Sequence, residues 1–105
     1  MTNITLDRDR ILRIAKKNTN VIDGVEYSYD SKFDILRVNF GDSSRENGRF
    51  LSSDIYGIFI NGKIKFIEIY DFKQSYDPKH YSEIIQNKNI ISNLESIHDQ
   101  ICKNN

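Results

Sequence analysis

The dipeptide Asn61-Gly62 constrains this chain more than any other feature. It stands between two apolar runs, Tyr56-Gly57-Ile58-Phe59-Ile60 and Lys63-Ile64-Lys65-Phe66-Ile67. A type I′ turn needs two successive positive φ angles, and Asn-Gly adopts them at low cost. An antiparallel hairpin therefore sits here, and its register follows from the two-residue turn. Ile60 should face Lys63, Phe59 should face Ile64, Ile58 should face Lys65 and Gly57 should face Phe66. That register gathers Ile55, Phe59, Ile64, Phe66, Tyr70 and Phe72 on one face. The other holds Tyr56, Ile58, Ile60, Ile67 and Ile69, with Lys63 and Lys65 near the turn. Both faces are apolar away from the turn, so each is expected to have a cover.

Two further strands precede the hairpin. Val25, Tyr27 and Tyr29 alternate with Glu26, Ser28 and Asp30, the period of a half-buried strand. Asp30-Ser31-Lys32 has turn composition, and Phe33 to Phe40 reads as a second strand with Leu36, Val38 and Phe40 on one side. Residues 41–48 are polar and read as a loop. Helices flank the strands. Over Leu6 to Lys17, Ile11, Ile14 and Ala15 share one helical face while Arg10, Arg13 and Lys17 share the other. Downstream, Asp77-Pro78 is a helix start, with Asp as N-cap and Pro in the first turn. Ile84, Ile91, Leu94, Ile97 and Ile101 continue it as an apolar stripe. Asn87-Lys88-Asn89 interrupts that stripe, and Ser92-x-x-Glu95 could restart it as a capping box, so the region is one long helix or two short ones. The expected fold is α+β: an antiparallel β-meander of four to five strands, an N-terminal helix, and one or two C-terminal helices packed on the sheet.

At 105 residues the chain is read as a single domain over 1–105. Basic and acidic residues balance at 15 each, so the molecule as a whole has no attraction to nucleic acid or an anionic membrane. No apolar run approaches the roughly 20 residues that span a bilayer. The single Cys102 excludes an internal disulfide and a cysteine metal cage. The first residues become charged at once, unlike a signal peptide, and a cytoplasmic location is expected. Ile, Lys and Asn make up 37 residues against one Ala, a bias that suits AT-rich coding in a bacterium, a phage or a mobile element.

The strand residues also carry a family pattern. Tyr29-Asp30-x-x-x-Asp34-x-Leu36-x-x-x-Phe40, then Gly57-Ile58, then Gly62-Lys63-Ile64-x-x-Ile67-Glu68-Ile69-x-Asp71, resembles the small bacterial family catalogued as domain of unknown function 2283. The likeness spans Tyr27 to Phe72. It departs from the family in its shorter hairpin turn, in Phe72-Lys73 after Asp71, and in both flanking helical segments. The resemblance implies a small β-meander with a helix and no established catalytic residues. By analogy it implies an antitoxin or inhibitor role.

Chemistry-bearing residues are few. Glu68 is the unusual acid, because alternation places it with Phe66 and Tyr70 among apolar neighbours, where a carboxylate must be paired, neutralised or functional. Arg37 is a candidate partner. A metal-dependent hydrolase centred on Glu68 is the sharper alternative, with Asp30, Asp34 and Asp71 as candidate neighbours. His80 and His98 are 18 residues apart and read as helix histidines; Cys102 lies four residues after His98, on the same helical face. No catalytic, metal or cofactor set is assigned. The basic side of the first helix, with Arg10, Arg13 and Lys17, is the candidate nucleic-acid contact, since residues 1–20 carry a local net charge of +3. Tyr27, Tyr29, Tyr56 and Tyr70 are the candidate protein interface, because tyrosine combines an apolar body with a polar tip. The favoured reading is a non-enzymatic protein-binding chain, with pairing of two copies through a sheet edge or helix as a further expectation.

Overall fold

The computed structural model describes residues 19–41 and 48–103. Six strands precede two helices: β1 (Asn20–Ile22), β2 (Val25–Asp30), β3 (Ile35–Asn39), β4 (Gly48–Ser52), β5 (Ile55–Ile60), β6 (Lys63–Tyr70), α1 (Pro78–Ile85) and α2 (Lys88–Lys103). The class is α+β, but the expected strand count is overturned, and the two described helices both follow the sheet. The predicted helix over residues 6–17, with Arg10, Arg13 and Lys17, lies outside the described residues.

The two strands that the sequence reading missed are the two edges. β1 joins β2 through Asp23-Gly24, with φ of 51° and 77°. Asn61-Gly62 has almost the same pair, 55° and 76°. Asp-Gly is thus a second turn of the type recognised at Asn-Gly. β4 begins at Gly48, where the polar loop was expected to end, and its short Gly-Arg-Phe-Leu-Ser run shows little alternation.

The sheet is antiparallel throughout, in the order β1-β2-β3-β6-β5-β4. A simple meander would set β4 beside β3. Instead β4 goes to the far edge, and the long central hairpin returns β6 to the middle. That placement suits composition: β3 and β6 bury Leu36, Val38, Ile67 and Ile69 completely, and a central strand has a neighbour on each side.

The hairpin register agrees with expectation for two pairs only. Ile60 faces Lys63 and Phe59 faces Ile64, but Ile58 then faces Phe66 and Gly57 faces Ile67. Lys65 is the extra residue of a β-bulge. One inserted residue sends every later side chain of β6 to the opposite face. Hence Ile67 and Ile69 join Ile55 on the helix side, while Phe66, Glu68 and Tyr70 join Tyr56 and Ile58 on the other.

Rows across the sheet show the two faces. Tyr27, Val38, Ile67 and Gly57 form one row of the helix side; Tyr29, Leu36, Ile69 and Ile55 form the next. α1 and α2 lay Tyr81, Ile85, Ile90, Leu94, Ile97 and Ile101 over these rows to make the main core. After Tyr70, Asp71 adopts a left-handed φ of 56°, and Phe72 is fully buried, stacked on Tyr81 at 6.2 Å. It does not stay with Tyr70, as strict alternation implied. α1 starts as expected, with Asp77 Oδ1 accepting from the His80 amide at 3.2 Å. The helical region is two helices: Gln86 takes a left-handed φ of 55°, and Asn87, not Ser92, caps the second.

Candidate functional site

On the face away from the helices, one row reads Ser28, Arg37, Glu68, Tyr56, Phe50. Pairing of β3 with β6 sets Arg37 directly opposite Glu68, and the two form an ion pair, Nε to Oε2, at 2.8 Å. Tyr70, two residues further along β6, donates its hydroxyl to the other oxygen, Oε1, at 2.5 Å. Burial raises the Tyr70 pKa first, and the bond to Glu68 adds to it, against Arg37, taking it to about 12. The phenol therefore remains a donor at any physiological pH. This is the partner set that a carboxylate among apolar neighbours requires.

Aromatic rings border this pair. Phe50 packs edge-on against Tyr56 at 5.1 Å and stacks on Tyr70 at 6.1 Å. Phe50 is nevertheless 60 % exposed, on the edge strand of the sheet. Gly48 makes the arrangement possible, because a Cβ there would overlap the Tyr56 hydroxyl. Towards the hairpin turn the same face buries Ile58 and Phe66, while its Arg37–Tyr70–Phe50 end stays partly exposed.

The four predicted interface tyrosines divide between the faces. Tyr56 and Tyr70 belong to the patch. Tyr27 is buried in the helix-side core, and Tyr29 donates to Asp34 Oδ1 at 2.6 Å. Neither of these two contributes to a shared surface with Tyr56 and Tyr70. Phe50 completes the patch and was overlooked in the sequence; its one signal was a lone aromatic in a polar stretch.

Two of the three acids considered beside Glu68, Asp30 and Asp34, are engaged elsewhere, and Asp71 sits in the left-handed turn after β6. Asp30 Oδ1 accepts from the Lys32 and Phe33 amides, closing the β2–β3 turn. Asp34 has φ of 56° and accepts from the amides of Lys73 and Gln74 at 2.8 and 2.9 Å, in addition to Tyr29. Tyr29, Asp30 and Asp34, three residues of the family-like pattern, thus build turns. Both oxygens of Glu68 are committed, one to Arg37 and the other to Tyr70. Among the described residues no group of three or more His, Cys, Asp and Glu could hold a metal ion.

Two other constellations bring reactive residue types together. Asp54, in the turn between β4 and β5, accepts from Ser52 Oγ at 2.5 Å and meets His80 Nε2 at 3.0 Å. These are the residue types of a hydrolytic triad in the wrong order. The carboxylate stands between serine and imidazole, so His80 cannot take the serine proton. On α2, Cys102 Sγ lies 3.6 Å from His98 Nε2, as the four-residue spacing implied, while the imidazole stacks on Tyr76 at a centroid distance of 3.6 Å. Comparison with protein families, with curated proteins and with solved structures gives no match.

Proposed function

We propose that this chain is a protein-binding module, and that its contact surface is the aromatic patch of Phe50, Tyr56 and Tyr70 around the Arg37–Glu68 pair. The observation that carries the reading is Phe50, a large ring left 60 % exposed while it packs against two tyrosines. Association hot spots have this make-up: aromatic anchors and an arginine, held in place before the partner arrives. The half-buried ion pair supplies polar specificity at the centre, and the rings supply area. The finer reading, an antitoxin or inhibitor acting on a toxin-like protein in a bacterial cytoplasm, rests on the family resemblance.

The test is affinity capture of the tagged protein from its host lysate, with and without nuclease, beside a Phe50→Asp variant. A stoichiometric protein that survives nuclease and is lost from the variant supports the proposal. Capture that depends on nucleic acid turns attention to Arg10, Arg13 and Lys17. Capture unchanged by Phe50→Asp removes the patch from the argument. Light scattering of the purified chain at several concentrations separates a second copy from a foreign partner.

A further inference from the structure

The Asp54–His80 contact is a polar link between the β4–β5 turn and α1, at the rim of the core that Ile55 shares with Tyr81 and Ile85. Asp54 is a junction: its carbonyl accepts from the Tyr70 amide at the end of β6, and its carboxylate accepts from Ser52 at the end of β4. The same carboxylate oxygen meets His80 in the first turn of α1. His80 is itself held, since its amide donates to the N-cap Asp77. β4 needs such a hold. It is an edge strand with one neighbour, and its pairing with β5 shifts register between Phe50 and Ser52. An interrupted edge is where a sheet opens at least cost.

We propose that the Asp54–His80 bridge is an acid-reinforced clasp that holds the β4–β5 hairpin against α1 and thereby sets how well Phe50 is ordered. Its bearing on binding rests on the aromatic-patch reading above; the clasp itself does not.

The groups facing His80 all act in one direction. Asp54 approaches from the β4–β5 turn beside the neutral Ser52, Asp77 and Glu83 act from α1, and the Tyr81 ring lies 5.9 Å away. The hydrogen bond to Asp54 raises the His80 pKa above its ordinary 6.5, burial opposes this, and the charges of Asp54, Asp77 and Glu83 add to the rise. A raised native pKa means that the clasp is at full strength below about pH 6.5, as long as Asp54, whose pKa is lowered, stays ionised. It weakens as pH climbs through the native value. The neutral imidazole can keep a hydrogen bond to Asp54 but loses its charge assistance.

Amide hydrogen exchange on the isotopically labelled full chain tests this without any partner. Exchange at Phe50, Leu51 and Ser52 is measured at about pH 5.5 and about pH 8, on either side of the histidine range, and corrected for the intrinsic rate. The expected result is a few-fold loss of protection at the higher pH. The loss should follow the His80 ring titration observed by NMR. His80→Gln should show the weaker protection at both pH values, and Asp54→Asn should flatten the pH response while keeping an acceptor for Ser52. Equal wild-type protection at the two pH values overturns the proposal, as does a pH response that survives in His80→Gln. Failure here leaves the binding patch standing, and failure of the capture experiment leaves the clasp standing.

Discussion

Asp34 shows how much one side chain can do when its backbone is turned the unusual way. With φ of 56° it sits where Asn and Asp are tolerated better than most residues, and its carboxylate ties the β2–β3 turn to the segment after β6. Burial alone would raise its pKa, but the bonds from Tyr29, Lys73 and Gln74 outweigh that and lower it. A depressed native pKa contributes stability that is present above the ordinary value of 3.8 and lost as pH falls through the native one. Asp34→Asn preserves the left-handed backbone and removes the charge. It should cost about 1–2 kcal/mol by urea unfolding at neutral pH, and the difference should shrink in acid. Tyr81 presents the opposite case. Its ring is 1 % exposed and its hydroxyl has no hydrogen-bond partner among the described residues. Tyr81→Phe should therefore leave stability unchanged or raise it by up to about 1 kcal/mol, read from the same unfolding curves.

At the scale of elements, the helical corner is decided by capping. The apolar stripe through Ile84, Ile91 and Leu94 could belong to one helix, and an eligible Ser92-x-x-Glu95 box lay within it. The chain breaks earlier because Gln86 adopts a left-handed conformation and Asn87 Oδ1 accepts from the amides of Asn89 and Ile90. A short side-chain oxygen placed ahead of the first turn satisfies donors that the helix cannot. Asn87→Ala should lower stability by about 1 kcal/mol and reduce helicity at the start of α2, measured by thermal unfolding and by NMR shifts of residues 88–91. The hairpins follow equally local rules at their turns. The bulge at Lys65 does not, since nothing in Lys-Ile-Lys-Phe-Ile marks which residue will be left unpaired.

At the scale of the molecule, two three-stranded halves meet along β3 and β6. Besides backbone bonds, the seam carries the Arg37–Glu68 pair, whose side chains are 32 % and 19 % exposed. Half-burial makes the pair worth more than a fully solvated one, and loss of one partner leaves the other charge poorly compensated. A double-mutant cycle of Arg37→Gln and Glu68→Gln should return a coupling of about 1 kcal/mol, with the double variant destabilised by less than the sum of the two single variants. A coupling near zero would mean that the seam holds through its backbone and its apolar rows alone. Along the helix axes, no helix among the described residues is long and apolar enough to cross a membrane.

The sequence by itself determined what depends on neighbours along the chain. The Asn61-Gly62 turn, the alternation of β2, the Asp77-Pro78 helix start and the apolar stripe of the C-terminal region all have causes within a few residues. So did the demand that Glu68 find a partner, with Arg37 among the candidates. Only the tertiary structure decided which strands became neighbours, because pairing is set by burial of whole faces and by loop connection, not by local propensity. β6 beside β3 made Arg37 and Glu68 a pair. The bulge at Lys65 moved Phe66, Glu68 and Tyr70 to the side of Tyr56. The return of β4 to the far edge brought Phe50 to the same patch and Asp54 within reach of His80, contacts between residues too far apart in sequence for any local pattern to announce.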